Sequence, residues 1–101
     1  MADEILPELA ELWLKMRPIA VERCETVRRG ATTEDPDAHA EVRAEAHKLA
    51  GSLGMYGLAA ASTIALELDA AVVGGALDTR EGRSVVAELA VSLRESLEAA
   101  G

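Results

Sequence analysis

Apolar side chains recur at three- and four-residue spacing in four successive stretches of this chain, and nowhere do they alternate with period two over a useful length. That pattern commits the backbone to amphipathic helices and leaves no sheet to build. The first stretch runs from about Ile5 to Arg28, with Leu9, Leu12, Trp13, Met16, Ala20 and Val27 on its inward side. Pro7 suits a first turn. Pro18 lies inside the stretch, where a missing N–H should kink the helix or split it in two. Gly30 to Glu34 reads as a loop, and Asp35-Pro36 as an N-cap followed by proline at the first helical position. The second helix buries Val42, Ala46, Leu49 and Leu53 and ends near Gly54. A third starts at about Tyr56, turns Leu58, Ala61, Ala65, Leu68 and Val72 inward, and stops at Gly74-Gly75. Asp78-Thr79-Arg80-Glu81 resembles a capping box with Asp78 in the capping role, ahead of a fourth helix burying Val86, Leu89, Leu93 and Leu97. Four such helices on short loops predict an all-α, up-down-up-down antiparallel four-helix bundle forming one domain over residues 1–101.

Composition narrows the partners. Trp13 and Tyr56 are the only aromatic residues, so the core is built from aliphatic side chains and alanine, which favours close helix–helix packing. The formal net charge of −8 repels nucleic-acid phosphates and anionic lipid, making both poor partners. Cys24 is the single cysteine, which excludes an intramolecular disulfide and suits a reducing compartment. The first residues carry no basic leader pattern, and no apolar run approaches the roughly 18 residues of a spanning helix. The expectation is a soluble, cytoplasmic monomer.

One residue stands out on the second helix. At about 100° per residue, His47 points roughly 130° away from the direction of Val42, Ala46, Leu49 and Leu53. Its imidazole therefore belongs on the open side, among Ala40, Arg43, Ala44 and Gly51, three of which are small. Gly51 costs the helix roughly 1 kcal/mol relative to alanine. It either opens room beside the ring or begins fraying the helix toward Gly54. His39 lies two turns earlier, about 80° around from His47, and reads as an ordinary polar surface residue. The two histidines are about 12 Å apart along the helix, too far to share a metal ion. Trp13 and Met16 read as core, Cys24 as a small, partly buried helix residue, and Met55-Tyr56 as a cover over the bundle end or a partner contact.

The stretch Ala46-His47-Lys48-Leu49-Ala50-Gly51-Ser52, with Gly54 and Gly57 following, resembles the signature of histidine-containing phosphotransfer domains. The order of elements fits as well, with one helix before the motif helix and two after. The resemblance implies that His47 is the phosphorylated residue, Leu49 the core leucine, and Gly51 and Ser52 the glycine–serine pair. There is one departure: Ala50 stands where many members of that family carry lysine. Lys48, about 100° around the helix, and Arg43 are then the candidates for neutralising a phosphoryl group, with Ala40, Ala44, Gly51 and Ser52 on the approach path of a partner.

The chain has no glycine-rich phosphate loop and no Walker-type lysine, so ATP binding is not indicated. No cluster of carboxylates stands out as a metal site. The resemblance implies a stand-alone phosphocarrier without kinase activity of its own. It would relay a phosphoryl group between the aspartate of a receiver domain, as in a hybrid histidine kinase, and that of a response regulator. No cofactor is expected on this chain, and Mg²⁺ is expected on the partner receiver. The competing reading is a non-catalytic helical adaptor that binds a receiver or kinase. A small enzyme with its own pocket is disfavoured, since no Cys/His or Ser/His/Asp grouping has plausible spacing.

Overall fold

Helix boundaries follow from how the end groups of each helix are satisfied. In the computed structural model, which describes residues 3–100, a 3₁₀ turn at Pro7–Leu9 leads into α1, Ala10–Gly30. The carboxylate of Asp35 then accepts from the Asp37 N–H at 3.0 Å and, with Pro36 in the first position, opens α2, Pro36–Ser52. A 3₁₀ turn at Leu53–Tyr56 follows, closed by Gly57 at φ 83°, and α3 spans Ala59–Val73. A last 3₁₀ turn, Ala76–Asp78, precedes α4, Arg80–Ala99. Among the described residues there is no strand.

Each helix packs on its two neighbours in chain order, with α4 closing back onto α1. Arg23 pairs with Glu45 between α1 and α2, and a Cβ at Gly30 would fall on Val42. As residue numbers rise along α1 they fall along α2, so the two run antiparallel. Contacts of α2 with α3 and of α4 with α1 reverse in the same way. The result is the expected antiparallel bundle, 41 × 22 × 18 Å. Its centre holds Val27, Val42, Ala46, Leu49, Leu58, Ala61, Ala65, Leu68, Val86, Leu93 and Leu97, all fully enclosed. Small Ala46, Ala61 and Ala65 sit in this layer and let the motif helix α2 and α3 approach closely.

Several boundaries and faces differ from the sequence reading. α1 is not split at Pro18: it runs through as one helix, because the proline is exposed and the carbonyl it leaves unpaired, that of Leu14, belongs to a solvent-facing residue. Leu12 is exposed rather than inward, since it lies about 90° from the line of Trp13, Ala20, Cys24 and Val27. Met16 is half-buried, and Cys24 is fully enclosed. α3 starts at Ala59, not Tyr56, because the preceding residues tighten into the 3₁₀ turn. The cap of α4 is Thr79, whose hydroxyl accepts from the Gly82 N–H at 3.0 Å, while Asp78 ends the turn before it. On α4, Leu89 is half-buried and Ala90 takes the central place.

The N-terminal segment ties down the turn that follows the motif helix. Both carboxylate oxygens of Asp3 accept from α3, from the N–H groups of Ala60 and Ala61 at 2.9 Å each, where Leu58 provides no side-chain cap. The Leu6 N–H donates to the Tyr56 carbonyl at 3.1 Å. Leu6 rests against Gly57 so closely that a Cβ there would lie 2.8 Å from Leu6 Cγ, a second reason for glycine at this positive-φ position. Tyr56 is buried against Trp13, with ring centroids 5.1 Å apart, whereas Met55 is exposed.

Candidate functional site

His47 lies on the fourth turn of α2 with its side chain 81% exposed. The enclosed stripe of Val42, Ala46, Leu49 and Leu53 rotates it outward, toward the seam with α3. Across that seam its Nδ1 faces Oδ2 of Asp69 at 3.5 Å, an ion-pair distance rather than a formed hydrogen bond. The Asp69 side chain is only 21% exposed, so the packing of α3 limits where its carboxylate sits. A carboxylate facing Nδ1 favours the tautomer with the proton on that nitrogen. The lone pair is then on Nε2, at the exposed end of the ring.

The surroundings of His47 are open. Ala40, Arg43, Ala44 and Gly51 are all exposed. A Cβ placed on Gly51 would meet nothing within 4 Å, so no contact inside the molecule demands glycine there. On α3, Leu66 and Val73 lie about one turn either side of Asp69 and within about 60° of its direction, and both are exposed, Val73 by 78%. Met55, in the turn that follows α2, is exposed as well.

The remaining sequence candidates fall on different sides of α2. Lys48 turns toward α1: its Nζ lies 3.3 Å from Oε1 of Glu45, whose other oxygen is 3.3 Å from Arg23 Nε. The Ser52 hydroxyl donates to the Lys48 carbonyl at 2.8 Å and lies about 140° around the helix from His47. Arg43 is exposed, without an ion pair among the described residues. His39, expected on the open surface, is half-buried. Its Nε2 donates to the Thr33 carbonyl at 2.6 Å, so its ring fastens the loop between α1 and α2. No three His, Cys, Asp or Glu side chains among the described residues come together as a cation-binding group.

The family model described as the Hpt domain matches residues 1–101. The chain belongs to the Hpt domain family. Hpt domains carry out histidine phosphotransfer in two-component phosphorelays, where they interact with receiver domains. No curated protein and no solved structure matches the chain. No helix among the described residues is long and apolar enough to cross a membrane.

Asp69 is the site residue that the sequence reading of this Hpt chain missed. Ala65, Leu68 and Val72 define the buried line of α3, and Asp69 falls about 60° from it, at the edge of the packed face. That offset was visible in the sequence. Which residue of α2 it would meet depends on how the two helices slide past each other, and helical periodicity carries no such information.

Proposed function

We propose that His47 is the phosphoryl-carrying residue of this Hpt domain, accepting from the phospho-aspartate of one receiver domain and donating to the aspartate of another. The first is that of a hybrid histidine kinase, the second that of a response regulator, and the carrier is monomeric and separate from the kinase. The observation that carries this reading is the exposed imidazole with Nδ1 turned to Asp69, which frees Nε2 for attack. In the transfer, the Nε2 lone pair attacks the acyl-phosphate phosphorus, the P–N bond forms, and the aspartyl P–O bond breaks. The receiver carboxylate departs with the electron pair. The ring then carries a positive charge with its Nδ1 proton facing the Asp69 carboxylate, which stabilises that charge without taking part in a bond. Donation to the second receiver is the same step reversed.

Phosphoryl transfer depends on positioning and on neutralising charge, and the receiver supplies Mg²⁺ and the acidic pocket for it. This chain contributes the nucleophile and a docking face. Small Ala40, Ala44 and Gly51 let a receiver come close to the ring, while Leu66 and Val73, either side of Asp69 on α3, offer exposed apolar area. The test is incubation with receiver domains phosphorylated by a small acyl phosphate. Acid-labile, base-stable label on the wild type and none on His47→Gln supports the reading. Equal labelling of His47→Gln overturns it, and receiver binding without any label favours the adaptor.

A further inference from the structure

Resting on the reading of His47 as the phosphoryl carrier, we infer that residues 3–6 form a releasable clamp on the turn behind the motif helix, and that receivers dock only while it is closed. Gly51, Gly54 and Gly57 crowd into this stretch, and glycine loses the most backbone freedom on folding. The turn closes on itself through the Gly57 N–H, which donates to the Gly54 carbonyl at 3.2 Å. Leu58 gives the following helix no side-chain cap, so the Ala60 and Ala61 N–H groups depend on Asp3, 57 and 58 residues earlier. Leu6 adds a backbone bond to Tyr56 and a side chain seated on Gly57, whose positive φ favours glycine. The last glycine of the motif is thus the seat of the N-terminal segment.

The clamp is held far more lightly than what it covers. Leu6 is exposed and Asp3 and Ile5 are half-buried, whereas Leu53, Tyr56 and Leu58 beneath them are enclosed. A segment with few buried contacts opens locally while the core stays folded. Opening takes the acceptors from two N–H groups of α3 and leaves the glycine turn without its outer support. That turn begins about 9 Å along the axis from His47. A receiver centred on the histidine, covering about 800 Å² and reaching roughly 15 Å from it, rests partly on the turn. Docking on a turn that is already ordered avoids the entropy of ordering it on contact. Apparent affinity then falls with the fraction of molecules whose clamp is closed.

Amide hydrogen exchange and receiver titration on the full chain test this in the wild type, Asp3→Ala, the double variant of Asp3→Ala with Leu6→Ala, and Asp35→Ala. The last removes a comparable cap at the far end of α2, roughly 27 Å from the turn. The readout is the Gly57 and Ala59 amides, because no variant touches their acceptors, the Gly54 and Gly57 carbonyls. They should exchange about fivefold faster in Asp3→Ala than in Asp35→Ala, and faster again in the double variant. The receiver concentration for half-maximal transfer should rise about threefold in the double variant and stay unchanged in Asp35→Ala. Labelling by phosphoramidate needs no docking: Nε2 attacks the phosphorus, the P–N bond of the reagent breaks, and ammonia leaves. It should run at the wild-type rate in every variant. If Gly57 and Ala59 exchange no faster in the clamp variants than in Asp35→Ala, the clamp is not a separate unit and the inference fails. Faster exchange with an unmoved half-saturation overturns its link to docking. Absence of label on His47 in the wild type overturns the underlying assignment instead, and the exchange rates still judge the clamp.

Discussion

At the scale of single residues, the site works by holding opposite ends of one imidazole in different environments. Asp69 faces Nδ1 from the packed side while Nε2 is left to the solvent. Asp69→Asn keeps the shape but removes the charge that stabilises the phosphorylated ring. It should slow phosphoryl uptake from a receiver by roughly tenfold or more, at nearly unchanged thermal stability. Single-turnover transfer beside a melting curve checks this, and an unaltered rate would reduce Asp69 to a surface neighbour. The position of His47 on the open face was legible in the sequence because a single helix has known periodicity, and one helix suffices to predict it. Its partnership with Asp69 joins two helices, and the engagement of Lys48 by Glu45 depends on rotamers, so neither was legible. His39 was misread for a related reason: its ring reaches back to Thr33 across a loop whose path local pattern does not describe.

At the scale of helices, Gly51 separates stability from function. An alanine there meets open space and removes the entropic cost of glycine, so Gly51→Ala should stabilise the fold by about 0.5–1 kcal/mol. Its methyl group would also project into the approach path beside His47 and reduce transfer from a receiver. Chemical denaturation and transfer rates measured on the same preparation check both halves, and a variant that is less stable would refute the open-space reading. Asp35 and Asp3 cap α2 and α3, one from within the helix start and the other from a residue far away in sequence. Replacing either by alanine should cost about 1 kcal/mol, seen as a fall of several degrees in Tm. The Asp35 cap was readable because its partner is two residues on. The Asp3 cap was not, since the segment returns to a helix start more than fifty residues later.

At the scale of the whole molecule, the bundle is an apolar core tied at the surface by charge. Cys24 is sealed between the helices, and burial pushes its thiol up to about 12, which leaves it protonated and inert as a nucleophile. Partial burial raises the Glu25 carboxyl, but hydrogen bonds from Arg28 and Arg94 and the charges of both outweigh this and hold it below its ordinary value of 4.5. A depressed carboxylate adds stability above its unfolded value, and that stability disappears as pH falls through the lower folded value. The wild type should therefore lose stability on acidification below about pH 4.5 more steeply than Glu25→Gln, as denaturation midpoints across pH 3–7 would register. The four-helix arrangement was legible because every core residue of α2 and α3 announced itself by spacing, while single positions drifted on α1, around Leu12, and on α4, where Ala90 rather than Leu89 takes the centre. The central claim concerns one atom of one residue in this bundle, and the chain has only two histidines between which to choose. After phosphorylation by a receiver domain, fragmentation mass spectrometry at neutral pH should find the phosphate on His47, whereas phosphate on His39 or on another residue would contradict the account.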